Sequence, residues 1–128
     1  MKIEHAAYQV EDAVCMAAWF SAHLGFILKR GREKPFPVYF LADDAGEVMI
    51  EIYTNPAVEV PDYRTMDPLI LHLAFVCNDV PRMVERLKEA GATLVSGIDK
   101  LENGDVLAMM RDPWGFSIQL CDRGERMV

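Results

Sequence analysis

Three things are scarce in this sequence. Cysteine occurs only at Cys15, Cys77 and Cys121. An odd count without framework spacing speaks for reduced thiols in a cytoplasmic protein rather than a disulfide scaffold. Basic residues are outnumbered, with 13 Lys and Arg against 20 Asp and Glu, for a net charge of −7. So acidic a chain lacks the clustered cations that nucleic acid or an anionic membrane surface requires, and neither is an expected partner. Long apolar runs are missing as well. None approaches the roughly 18 residues of a membrane span, and the opening MKIEHAAYQVED is too interrupted by charge to read as a signal peptide. There is no glycine-rich phosphate loop and no cysteine pair for a cluster. What remains is 128 residues, 52% hydrophobic and 26% charged, the composition of one soluble globular domain with a real core.

The order of elements follows from periodicity and punctuation. IEHAAYQV predicts a strand, Glu11-Asp12 a helix start, and Leu24-Gly25 the end of that helix, with Val14, Ala17, Ala18 and Ser21 at helical spacing. FILKRG and VYFLAD are strands joined by the polar REKPFP, and Asp44-Ala45-Gly46 turns the chain into the strand EVMIEIYTN. Residues 56–68 hold three prolines and little periodicity, and form a link. The pattern then recurs. LILHLAFV is a strand, Asn78-Asp79-Val80-Pro81 starts a helix with Pro in its first turn, and VERLKEAGA closes that helix at Gly91. ATLVSG, DVLAMMRD and FSIQL complete the set, with turns at Asn103-Gly104 and Asp112-Pro113-Trp114-Gly115.

Each half therefore reads strand, helix, strand, strand, strand, as modules of about 1–55 and 69–123. The spacing of equivalent residues supports this: His5 to His72 and Asp12 to Asp79 are both 67, Gly25 to Gly91 is 66, and Glu51 to Gln119 is 68. Self-similarity of this kind points to two copies of one unit about a pseudo-twofold axis. Strand alternation puts His72 on the face opposite Leu71, Leu73 and Phe75, and Glu51 on the face opposite Val48, Ile50 and Ile52. Each half thus offers a first-strand histidine and a last-strand Glu or Gln. Two imidazoles, a carboxylate and a carboxamide oxygen suit a borderline divalent ion such as Zn²⁺, Ni²⁺, Co²⁺, Fe²⁺ or Mn²⁺.

Taken together, IEHAAYQVED, LGFIL, VMIEIYTN, LHLAFVCND, the Gly91 helix end and DPWGFSIQL resemble the vicinal oxygen chelate superfamily, which includes glyoxalase I, bleomycin-resistance proteins and extradiol dioxygenases. The resemblance covers essentially the whole chain. It implies an α+β fold of two βαβββ modules forming a cupped, eight-stranded mixed sheet with the helices outside. It implies metal ligands at His5, Glu51, His72 and Gln119, a small-molecule substrate, and a homodimer. The likeness is greatest to glyoxalase I-like proteins, where Asn55 matches a substrate contact. Two positions depart from that pattern: Gln119 stands where Glu is usual, and no arginine lies near Gln9.

The activity so implied is that of a metal-dependent lyase or isomerase. The ion acts as a Lewis acid on vicinal oxygens and stabilises an enediolate-type intermediate, while a carboxylate moves a proton between adjacent carbons. Glu51 is the only carboxylate of the four and is the expected base. The alternative is a metal-free binding protein of the bleomycin-resistance type, with Tyr53, Met49 and Met109 lining its cavity. Arg111 is expected to pair with a nearby carboxylate or to reach a substrate anion. The thiols of Cys77 and Cys121 are expected to be buried and inert, and the tail DRGERMV to be loose.

Overall fold

The computed structural model describes residues 1–127. The chain divides into two compact units, Met1–Pro61 and Asp62 onward, each a four-stranded mixed sheet with one helix. The first unit runs β1 (His5–Gln9), α1 (Ala13–Leu24), β2 (Ile27–Arg32), β3 (Val38–Ala42) and β4 (Met49–Tyr53). The second runs β5 (Leu73–Val76), α2 (Val80–Glu89), β6 (Thr93–Lys100), β7 (Val106–Arg111) and β8 (Ser117–Asp122). Both sheets have one topology, β1-β4-β3-β2 and β5-β8-β7-β6, with first and last strands parallel and the remaining pairs antiparallel. The repeat is therefore a repeat of topology.

The ladder makes the equivalence quantitative. Ala7 faces Glu51 across β1–β4 and Ala74 faces Gln119 across β5–β8, while Phe40 and Met109 hold matching places on the third strand of each sheet. The turns match as well. Gly46 N–H donates to the Asp43 carbonyl and Gly115 N–H to that of Asp112, each glycine with positive φ. At Gly115 a side chain is also excluded by space, because a Cβ would collide with the Arg64 side chain and come within 2.9 Å of its Cα.

The helices start alike. The carboxylates of Asp12 and Asp79 cap α1 and α2 by accepting from the N–H groups of Cys15 and Arg82, both at 3.0 Å. Their faces are set differently. α2 is amphipathic and buries Val80, Val84 and Leu87, as its spacing predicts. α1, AVCMAAWFSAHL, is apolar nearly all round and buries Ala13, Met16, Ala17, Trp19 and Phe20. Of Val14, Ala17, Ala18 and Ser21, read at helical spacing, Ala17 is buried and the other three are exposed. A helix without a polar stripe gives periodicity nothing to select.

Two segments differ from expectation. The strand predicted to start at Leu69 starts at Leu73. Asp67 takes the Leu69 amide with its carboxylate and the Ile70 amide with its carbonyl, and Leu69 and Ile70 stay exposed in this turn. The start of the tail is also held. Arg123 and the Gly124 amide both bind the Asp105 carboxylate, at 2.6 and 3.0 Å, and this holds its pKa below the usual range. No helix among the described residues is long and apolar enough to cross a membrane.

Candidate functional site

In the first unit the register brings two predicted site residues together. β1 and β4 run parallel with His5 opposite Met49 and Ala7 opposite Glu51, so His5 and Glu51 share a face and differ by one step along it. His5 Nε2 lies 3.4 Å from Glu51 Oε2, with the two side chains 32% and 21% exposed. His5 Nδ1 lies 2.7 Å from Glu4 Oε2. An ionised carboxylate only accepts, so Nδ1 carries a hydrogen, while Nε2 faces a second carboxylate, that of Glu51. The Phe40 ring meets the imidazole edge-on at 5.5 Å and limits its rotation.

The second unit repeats the logic with different atoms. His72, half-buried just before β5, has Nδ1 2.8 Å from the Pro68 carbonyl oxygen. A carbonyl cannot donate, so here too Nδ1 carries the hydrogen and Nε2 the lone pair. Gln119, on β8 between Ala74 and Met109, has its Oε1 3.4 Å from the Cys121 thiol, which donates to it. Each unit therefore presents one imidazole anchored at Nδ1 and one side-chain oxygen, and in the first unit the imidazole Nε2 faces that oxygen. Anchoring one imidazole nitrogen so that the other is left to coordinate is the usual second shell of a metal-binding histidine. Among the described residues no group of three or more His, Cys, Asp or Glu side chains lies together as a metal site, so His5 and Glu51 are the predicted ligands that the structure brings together.

Of the residues predicted to line a site, Tyr53 shares the Glu51 face, two residues on, and Met109 neighbours Gln119. Asn55 is used locally. Its Oδ1 accepts the Ala57 N–H at 3.0 Å, while its backbone amide and carbonyl are both held by the Gln9 side chain. Gln9, only 7% exposed, also donates to the Val58 carbonyl and so ties down the chain beyond β4.

Arg111 is not paired with a carboxylate as expected. Its Nη1 donates to the Tyr63 and Gly115 carbonyls and to Ser117 Oγ, and its Nη2 to the Met66 carbonyl. Burial pushes both the Cys77 and Cys121 thiols up, although Cys77 is only half-buried. Glu4 and Phe40 were not singled out from the sequence. The acid beside His5 was visible there, whereas Phe40 comes into range only through strand pairing.

These features are those of a known class. Residues 2–120 match the model of the Glyoxalase/Bleomycin resistance protein/Dioxygenase superfamily, and the chain belongs to that superfamily. Within it, the chain is 26% identical over 126 residues to a lactoylglutathione lyase of Arabidopsis thaliana, an alignment covering 94% of this chain and 44% of the relative. The chain thus spans less than half the length of the curated relatives it matches. Glyoxalase I from Zea mays superposes with a TM-score of 0.76 at 25% identity, over 97% of this chain and 45% of that one. An antibiotic-binding protein from Streptomyces sp. superposes at 0.72 with 19% identity, over 96% of both chains, a likeness of fold.

Proposed function

We propose that the chain is a glyoxalase-like, metal-dependent lyase or isomerase for a small molecule with vicinal oxygens. His5, Glu51, His72 and Gln119 are its metal ligands, each module supplying one imidazole and one oxygen. The observation that supports this reading most is the shared anchoring of the two histidines, both tied at Nδ1 to an oxygen, with His5 Nε2 turned toward the Glu51 carboxylate. The names of the lactoylglutathione lyase and glyoxalase I relatives supply the reaction class.

A divalent ion bound by these groups supplies Lewis acidity to the two substrate oxygens. Glu51 takes the proton from the carbon that bears the substrate hydroxyl, the C–H electron pair moves toward the neighbouring carbonyl, and the same carboxylate returns the proton to that neighbouring carbon while the hydroxyl proton passes to the former carbonyl oxygen. That carboxylate stands 3.4 Å from His5 Nε2. Phe40 and Tyr53, on the same face, give the substrate carbon skeleton an apolar seat. With Gln rather than Glu at position 119, the ligand set carries one negative charge less, which favours an anionic substrate and weakens metal retention.

One feature favours the second reading, a metal-free binding protein: Gln119 Oε1 is already engaged by the Cys121 thiol. Elemental analysis of protein purified without chelator separates the two. The enzyme reading expects close to one divalent ion per chain, lost in His72→Ala and in His5→Ala. No metal after soaking with Ni²⁺, Zn²⁺ or Mn²⁺ overturns it and leaves the binding protein.

A further inference from the structure

We propose that Arg111 is the positioning residue for His72. Its guanidinium fixes the segment whose carbonyl, at Pro68, locks the imidazole in one tautomer. The fork reaches three backbone carbonyls and one hydroxyl, at 2.5 Å for Tyr63, 3.0 Å for Gly115, 3.1 Å for Ser117 Oγ and 2.7 Å for Met66. Gly115 and Ser117 belong to the β7–β8 turn and β8, whereas Tyr63 and Met66 belong to the segment leading to β5. The cation therefore staples that segment to the sheet. Without it, three carbonyl oxygens and the Ser117 hydroxyl lose the charged fork that gathers them, which loosens the segment that Tyr63 and Met66 belong to. Pro68 is two residues beyond Met66, and its carbonyl accepts from His72 Nδ1 at 2.8 Å. A displaced Pro68 carbonyl frees the ring to carry its hydrogen on Nε2, where the lone pair is needed.

The first module has no such device. Ala42 occupies the ladder place of Arg111, opposite Met49 as Arg111 is opposite Ser117. His5 is instead held by its chain neighbour Glu4. Removing Arg111 should therefore disturb one histidine and spare the other. The consequence for metal binding rests on the function proposed above; the consequence for the tautomer does not.

The test is ¹⁵N NMR of the imidazole nitrogens in metal-free protein, at a pH where they are neutral, with Zn²⁺ titration calorimetry alongside. Wild type is expected to show His72 protonated at Nδ1. Arg111→Met is expected to show a mixture with Nε2–H at His72, an unchanged His5, and Zn²⁺ binding weakened roughly tenfold or more. In Arg111→Ala, added guanidinium should restore the wild-type tautomer in part. Arg111→Lys, which keeps charge but not the fork, should fall between and serves if the smaller variants fold poorly. Val84→Ala, a packing change in α2 that lowers stability, should leave the His72 tautomer alone. His72 remaining wholly Nδ1-protonated in both Arg111→Met and Arg111→Lys overturns the proposal. A freed tautomer in a protein whose wild type takes no Zn²⁺ upholds the positioning role and removes the metal reading instead.

Discussion

The two modules have one backbone plan and two chemistries. The parallel pair β1–β4 puts Ala7 opposite Glu51, and β5–β8 puts Ala74 opposite Gln119. Yet one module offers a carboxylate beside its histidine and the other a neutral amide bonded to a thiol. Histidine support differs too, a side-chain carboxylate for His5 and a backbone carbonyl for His72. Ladder hydrogen bonds make topology and register costly to change. The residue presented at a given ladder position is not so constrained, and there the modules have diverged.

The sharpest way to break the comparison is to exchange that residue. Glu51→Gln gives the first module the amide of the second. It is expected to lower turnover of glyoxal–thiol adducts by roughly two to four orders of magnitude, the usual contribution of a positioned base, with an unchanged circular dichroism spectrum. Gln119→Glu in the same chain tests whether the modules are interchangeable. Full recovery in the double variant would show that a carboxylate serves equally from either side and that the modules are not asymmetric in chemistry.

Packing gives the next largest effect. Phe20 in α1 and Val84 in α2 are both fully buried on the inner face of their helices. Phe20→Ala should cost about 3–5 kcal/mol, and Val84→Ala roughly 2 kcal/mol from two methyl-sized groups and the cavity they leave. Urea unfolding with an unchanged slope reads both. A larger loss at Val84 would mean that the second module, not the first, dominates the stability.

An effect of similar size to the packing losses concerns the two Asp-x-x-Gly turns. Asp43 is exposed, its carboxylate taking only the Gly46 amide at 2.9 Å. Asp112 is 3% exposed, and Oδ1 takes the Trp114 and Phe116 amides at 2.9 and 2.8 Å. Its Oδ2 has no hydrogen-bond partner. Burial raises the Asp112 pKa from 3.8 to about 6, against the lowering pull of those amides. The folded state therefore holds the proton more tightly than the unfolded one. This contribution is complete below the unfolded value near 3.8 and is lost as the pH rises through about 6. The loss is on the order of 3 kcal/mol, at about 1.4 kcal/mol per pKa unit. Stability measured across that window should fall in wild type and in Asp43→Asn, and stay flatter in Asp112→Asn. Equal curves for all three would show that the two turns are equivalent in energy as well as in geometry.

Much of this was legible in the residues. The helix caps at Asp12 and Asp79, the glycine stops and the order of elements all follow from local patterns, whereas the meeting of His5 with Glu51 depends on the β1–β4 register. The inner face of α1 was not legible, because AVCMAAWFSAHL has no polar stripe to orient it. The strand start at Leu73 was hidden behind LIL, an apolar run that Asp67 draws into a turn. The role of Arg111 could not be read because all its acceptors but Ser117 Oγ are backbone carbonyls, which every sequence has. The Asp43 and Asp112 turns were readable as Asp-x-x-Gly, 69 residues apart, but only the ladder shows that they are counterparts.

The alanines opposite Glu51 and Gln119 have a bearing on how such a protein changes over generations. A methyl group makes almost no demand on the shape of the side chain across from it. The position that decides charge can therefore mutate between acid and amide without a compensating change in the facing strand. Duplicated modules built this way can drift apart in reactivity one substitution at a time, each intermediate still folding.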